Sequence, residues 1–135
     1  MPDLSPRRFQ RTRLDHALET AEDYVELIET LIAERGEARA VDLAERLGVS
    51  PVTVGKTVQR LAREGYVTSQ PYRAIHLTDA GRSLAAASRA RHELVLAFLL
   101  ALGVPPETAE ADAEGIEHHA SEPTLAAMRR FVAGR

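Results

Sequence analysis

The chain has 135 residues, 44% of them hydrophobic and 27% charged, with a net charge of −3 and no cysteine. This length can bury a real core in one or two small domains, and the lack of cysteine excludes a disulfide framework and any thiolate metal site. No eighteen-residue apolar run is available to span a membrane, and no apolar segment follows the N-terminal arginines as a secretory signal requires, so a cytoplasmic protein with no membrane partner is expected.

The modest net charge hides a segregation. Asp15, Glu19, Glu22, Asp23, Glu26, Glu29 and Glu34 crowd residues 15–35, with Arg35 the one base. Residues 39–73 carry Arg39, Arg46, Lys56, Arg60, Arg63 and Arg73 against Asp42, Glu45 and Glu64. A basic segment inside an acidic chain has the form of a local phosphate-binding face, although clustered solvated charge gives the same pattern.

In chain order, residues 1–14 hold Pro2, Pro6, Arg7, Arg8, Arg11 and Arg13 with little apolar content, and read as a flexible basic arm. Residues 15–35 form a predicted helix. Its stripe is Leu18, Val25, Leu27, Ile28, Leu31 and Ile32, and Gly36 stops it. Asp23 and Glu26 stand at i, i+3 on a flank of that stripe, where they fit a solvated acidic face as well as a ligand pair.

A second helix begins at Ala40, turns Val41, Leu43, Ala44 and Leu47 inward, and ends at Gly48, which suits a left-handed C-cap. Ser50 is a good N-cap and Pro51 a good first residue for a third helix that runs to about Glu64 over Val54, Val58 and Leu61. Helix, short glycine-containing turn, helix is the helix-turn-helix arrangement, and the second helix would enter the major groove by its N-terminal residues. Ser50, Pro51, Val52, Thr53, Lys56 and Thr57 are the candidate contacts there, with Arg39 and Arg60 as flanking bases. Methyl groups of Val and Thr can touch thymine, and Lys56 can reach guanine or phosphate. An αα-hairpin in a small helical protein is the plain structural alternative.

Gly65–Leu77 alternates like a two-stranded hairpin around Pro71, so a wing follows the third helix, with Tyr72 and Arg73 at its tip within reach of phosphates or the minor groove. Thr78 and Asp79 cap a long helix that ends before Gly103, and its Leu94–Leu102 half is apolar nearly all round, as a core or subunit-interface helix is. His92 precedes that apolar run and by itself fits a satisfied core histidine. Pro105 and Pro106 open a helix through Ala113, Gly115 is a candidate break, and a last helix runs from Thr124 to about Val132. Within Asp112–His119, helical spacing puts Glu114, Glu117 and His118 on one face at i, i+3 and i+4. Two carboxylates and an imidazole on one face pack poorly against apolar neighbours and hold a divalent cation well.

Glu22-Asp-Tyr-Val-Glu26, the winged helix, Arg91-His-Glu-Leu94, Phe98-Leu-Leu-Ala-Leu-Gly-Val104 and Asp112-Ala-Glu-Gly-Ile-Glu-His-His119 together resemble, in order and spacing, the manganese-transport regulators. These are the short branch of the diphtheria-toxin-repressor-like, metal-dependent transcription factors, and the resemblance covers roughly residues 20–132. It implies a mainly α fold. An N-terminal winged helix-turn-helix with a two-stranded wing (residues 15–78) precedes an all-helical metal-binding and dimerisation domain (79–135). It also implies a homodimer on palindromic operator DNA, with Mn(II), one or two ions per subunit, as the activating cofactor and repression of manganese uptake as the output. Fe(II), Zn(II) and other divalent ions are expected to bind in vitro, and no small organic ligand is expected.

Carried over position by position, the metal ligands would be Asp23, Glu26, His92, Glu114, Glu117 and His118. His119, one residue off the ligand face, is left as structural or as an outer partner. Iron-responsive members place sulfur where this chain has Glu114 and Met where it has Asp23, so an iron-responsive regulator is the runner-up. A metal-independent winged-helix repressor is the third reading. Catalysis is not expected: His92-Glu-Leu-Val-Leu96 lacks the second His of a zincin helix, and no nucleophile–base pair or phosphate loop stands out.

Overall fold

The computed structural model describes residues 6–135, apart from the side chains of residues 8, 11 and 12. Its elements are α1 (Pro6–Arg35), α2 (Ala40–Leu47), α3 (Pro51–Arg63), β1 (Val67–Thr68), β2 (His76–Leu77), α4 (Asp79–Ala101), α5 (Pro106–Ile116) and α6 (Glu122–Ala133). The chain divides into two compact units, one of residues Thr20–Ala86 and one that joins Ala87–Arg135 to the stretch of α1 up to Glu19.

The expected basic arm is corrected over most of its length. Residues 1–5 lie outside the described residues, and from Pro6 the chain is already helical. Proline at the first helical position is pre-set for the turn, the Arg and Gln residues that follow are good helix formers, and Leu14, Ala17 and Leu18 extend the stripe of Ala21 and Val25 backwards.

In the Thr20–Ala86 unit, α1 lays Ala21, Tyr24, Val25, Ile28 and Leu31 against Leu43 and Ala44 of α2, Val54, Val58 and Leu61 of α3, and Val67, Ile75 and Leu77 of the wing. The α2–α3 turn forms for local reasons. Gly48 closes α2 at φ 68°, a left-handed position where a Cβ would be strained, and its N–H reaches the Ala44 carbonyl at 3.0 Å. Ser50 then caps α3, its hydroxyl accepting from the Thr53 N–H at 3.1 Å.

The wing is short. Val67 pairs with Leu77 and Thr68 with His76 in antiparallel register, and Ile75 donates to the Ala38 carbonyl at 2.7 Å, so the segment before α2 adds a third edge. At its tip the Arg73 N–H closes on the Gln70 carbonyl at 3.1 Å, with Pro71 first and Tyr72 second at φ 61°. This is the type II pattern, which usually puts glycine where Tyr72 stands. The tip therefore holds a strained residue whose ring is wholly exposed.

The first turn of α4 is clamped to the wing base. Thr78 donates its hydroxyl to the Gly65 carbonyl at 2.6 Å and accepts the Gly81 N–H at 3.1 Å. A Cβ on Gly81 would lie 2.1 Å from the Tyr66 carbonyl oxygen and 3.2 Å from a Leu77 methyl. Because the obstacle is backbone, Gly81→Ala should destabilise the Thr20–Ala86 unit by about 1–3 kcal/mol. Urea unfolding of the variant checks this, and an unchanged midpoint would mean that α4 can slide away from the wing without cost.

In the other unit, Val95 and Leu99 of α4 pack on Ala109 and Ala113 of α5 and Leu125 of α6, with Leu94, Leu96, Phe98, Val104 and Met128 around them. The Phe98 and Phe131 rings meet edge to face at 5.4 Å. The apolar half of α4 is only partly covered within one subunit, since Leu100 and Leu102 stay exposed together with Phe131. Gly115 does not break α5, which runs through it to Ile116. The Glu117 N–H still bonds the Ala113 carbonyl at 3.0 Å, and one helical glycine costs only about 1 kcal/mol.

Candidate metal centre and nucleic-acid face

The Ala87–Arg135 unit gathers His92 from α4 with Glu114, Glu117 and His118 from the end of α5. Glu117 is the C-cap of α5 and keeps helical dihedrals, and the Ala120 N–H continues to the Ile116 carbonyl at 3.0 Å. The i, i+3, i+4 geometry therefore survives past the end of the helix. One oxygen of Glu117 lies 2.6 Å from His92 Nδ1 and the other 3.4 Å from His118 Nε2, so the carboxylate is held between two imidazoles. Glu117 is 2% exposed. Candidate ligand atoms of His92, Glu114 and Glu117 lie within 4.8 Å of one another.

Burial pushes the Glu117 carboxyl up to about 7. The charge of Glu114 adds to this rise, while the charges of His92 and His118 oppose it. Burial disfavours a charged His92, but its hydrogen bond to Glu110 and the charge of Glu117 outweigh that and raise its pKa. In the metal-free protein this cluster therefore stores protons at a place where neutral imidazole and ionised carboxylate are needed to bind a cation.

Asp23 and Glu26 belong to the Thr20–Ala86 unit, on α1. Asp23 is exposed, and Oε1 of Glu26 is buried with no hydrogen-bond partner among the described residues. Within the Ala87–Arg135 unit, a carboxylate buried between two imidazoles and a donor set without sulfur fit a hard divalent cation.

The structure also points to two residues that the sequence reading passed over. Glu110 Oε1 lies 2.9 Å from His92 Nε2, and Glu19 Oε2 lies 3.2 Å from His119 Nε2, so His119 is engaged by an acid of α1 within its own unit. Their signal was present as period. Glu110, Glu114 and Glu117 stand at i, i+4 and i+7, and so do Glu19, Asp23 and Glu26.

On the Thr20–Ala86 unit the start of α3 is open. Ser50, Pro51, Val52, Thr53 and Lys56 are exposed, Thr57 and Arg60 are half-buried, and Tyr72 and Arg73 project from the wing. Gln59, not singled out from the sequence, is exposed one turn beyond Lys56 and lines a groove of about 710 Å³ with Arg39, Val41, Gln70, Tyr72 and Arg73. Glutamine can pair with adenine in two places, so this face offers direct readout as well as phosphate contacts. Two of the candidate residues carry structural duties. Ser50 is committed to its cap, and Arg39 pairs with Glu37 at 2.8 Å while donating to the Tyr72 carbonyl at 3.2 Å, which braces the strained tip.

Comparison with known proteins matches two family models in succession along the chain. Residues 16–75 match the family model "Iron dependent repressor, N-terminal DNA binding domain", and residues 78–134 match "Iron dependent repressor, metal binding and dimerisation domain". The chain is 54% identical over 124 residues to the "Transcriptional regulator MntR" of Escherichia coli O6:H1, covering 92% of this chain and 80% of that protein. It is 46% identical over 100 residues to the "HTH-type transcriptional regulator MntR" of Geobacillus kaustophilus, covering 74% of this chain and 71% of that one. Among solved structures it is similar to a "Manganese-dependent transcriptional repressor complex with manganese", with a TM-score of 0.72 and 33% identity. That match covers 85% of this chain but only 53% of the other, so the chain spans about half the length of that structure. With the DNA-binding and the metal-binding and dimerisation models matched in succession over nearly its whole length, this chain belongs to the iron dependent repressor family of transcriptional regulators.

Proposed function

We propose that the chain is a manganese-responsive repressor that binds a palindromic operator as a homodimer when Mn(II) is present and so shuts down manganese uptake genes. The observation that carries this reading is the buried Glu117 carboxylate between His92 and His118, beside Glu114, in a chain that also presents an open recognition helix. His92, Glu114, Glu117 and His118 would hold the metal together with Asp23 and Glu26 of α1, one or two ions per subunit. Bound Mn(II) supplies the positive charge that offsets carboxylates otherwise repelling one another or taking up protons. To hold a cation, Glu117 and His92 would have to be free of their protons, and Glu26 would offer its orphaned oxygen as a further donor. Because Asp23 and Glu26 lie on the helix that underlies α2 and α3, their engagement favours one arrangement of the two DNA-binding units. A palindrome requires its half-sites about one helical turn, ~34 Å, apart or a multiple of it. The loaded arrangement is populated only to the extent that the ion binds it more tightly than the others.

A second copy would cover the apolar surface of Leu100, Leu102 and Phe131 that one subunit leaves bare. Hard oxygen donors and the absence of sulfur favour the manganese reading over an iron-responsive regulator, and the relatives named as regulators give no support to an enzyme. Among the described residues no helix is long and apolar enough to cross a membrane, and a cytoplasmic location follows from a DNA target.

The test is binding to an operator fragment from a metal-transporter promoter at fixed salt, with chelator, Mn(II), anaerobic Fe(II) or Zn(II). Tightest binding with Mn(II), lost in chelator, is expected. Equal binding with and without metal would leave a winged-helix protein whose acidic cluster is only a folded surface.

A further inference from the structure

We propose that Glu110 is a positioning residue that decides which ring nitrogen His92 offers to the metal. The inference rests on the reading of His92 as a ligand. An imidazole has two nitrogens on opposite sides of its ring, and in the neutral form one carries a proton and the other a lone pair. Only the nitrogen with the lone pair can coordinate.

In this structure each side of His92 faces a carboxylate from the same helix. Nδ1 lies 2.6 Å from Glu117 Oε2, and Nε2 lies 2.9 Å from Glu110 Oε1. The two carboxylates are not equivalent. Glu117 is buried, shares its second oxygen with His118, and falls within the cluster of ligand atoms that includes Glu114. The Glu110 side chain is 58% exposed and lies outside that cluster, and His92 is its one hydrogen-bond partner among the described residues. Glu117 therefore marks the metal side of the ring and Glu110 the far side.

With a cation in the cluster, the Glu117 charge would be turned to the ion, and the acceptor on the far side would keep the proton on Nε2 and the Nδ1 lone pair on the metal side. A carboxylate in that place also makes the imidazole a stronger donor. Glu110 and Glu117 are seven residues apart on α5, two helical turns, so one rigid element supplies both sides of the clamp around a ring delivered by α4. A plain salt bridge that only pins α4 to α5 would give the same distances, so the test needs a readout that such a bridge does not control.

That readout is the tautomer of His92. It can be read from ring nitrogen shifts of ¹⁵N-histidine-labelled protein loaded with diamagnetic Zn(II), because without a cation the Glu117 carboxylate at Nδ1 competes for the same proton. Mn(II) affinity is measured in parallel from the EPR signal of the free ion. The wild type should show the proton on Nε2. In Glu110→Ala it should spread to Nδ1, and Mn(II) affinity should fall by about tenfold, the lower end of what losing such an outer partner costs. Glu110→Gln keeps an oxygen that accepts from Nε2–H, so it should restore the wild-type tautomer and most of the affinity. If Glu110→Ala leaves both tautomer and affinity unchanged, or Glu110→Gln does no better than Glu110→Ala, the inference is wrong. A wild-type protein that binds no Mn(II) would instead overturn the manganese reading, and the Zn(II)-loaded spectra would still report whether Glu110 sets the tautomer.

Discussion

Glu117→Gln is expected to abolish Mn(II)-dependent operator binding while leaving a folded, dimeric, metal-free protein. The amide matches the carboxylate in shape and can still sit between His92 and His118, so packing at this buried position is kept. The anionic donor that a cation requires is lost. Affinity should drop by at least about a hundredfold, because the variant removes a buried charged partner and not an outer support. The sign of the stability change is a second, independent prediction. Burial already disfavours the Glu117 carboxylate, so replacing it with a neutral isostere should hold or raise the thermal midpoint of the metal-free protein at neutral pH. Operator binding by fluorescence anisotropy, with and without Mn(II), and thermal melts of the same samples separate the two effects. A variant that keeps the wild-type Mn(II) response would remove Glu117 from the metal site. One that melts much earlier without metal would show that the carboxylate is a stabilising structural anion.

Proton and metal should compete at this cluster, and the metal-free and metal-loaded forms should respond to pH in opposite directions. In the folded chain Glu117 titrates at about 7, above the usual value of about 4.3 for an unfolded glutamate. The group therefore contributes stability that is complete below the unfolded value and is lost as pH rises through about 7. His92, also raised, acts with the same sign: its contribution is complete below the ordinary imidazole value and lost as pH rises through its higher folded value. The thermal midpoint of the metal-free protein should accordingly decline from about pH 5 to about pH 8.

Metal affinity should climb across the same window, because both groups must lose a proton to coordinate. On the acid side the increase should approach about a hundredfold per pH unit, for two protons released, and it should flatten once both groups are deprotonated. Paired melts with chelator or excess Mn(II) across this range, with proton release measured in weak buffer, check both slopes. A metal-free midpoint that rises with pH, or an Mn(II) affinity that ignores pH, would contradict the protonated cluster. In Glu117→Gln the decline of the metal-free midpoint should shrink to what the Glu110 bond to His92 still supplies, because the Glu117 charge that helps raise His92 is lost as well.

What the sequence determined by itself is what local chemistry controls. The α2–α3 turn needs a left-handed residue at Gly48, a side-chain acceptor at Ser50 and a preset first turn at Pro51, and all three lie within four residues of one another. The wing follows from alternation around Pro71. The face of Glu114, Glu117 and His118 follows from helical period alone, and α5 keeps that period through Gly115. The start of α1 was misplaced because arginine-rich composition reads as an arm, whereas helix propensity and the apolar spacing of Leu14 and Leu18 carry the helix back to Pro6.

Tertiary structure alone decided the state of those groups. The partners of His92 are 18 and 25 residues away along the chain, so no local pattern could assign Glu110 to one side of the ring and Glu117 to the other. The raised Glu117 carboxyl arises from burial, and burial is a property of the packed helices and not of the glutamate or its neighbours in sequence. Likewise Gly81 looks like an ordinary helical glycine until α4 lies on the Tyr66 carbonyl, and Arg39 looks like a free phosphate contact until the wing brings it the Tyr72 carbonyl. Period and capping act over a few residues and can be read from the order of amino acids. Desolvation and close approach depend on which elements come to rest against each other.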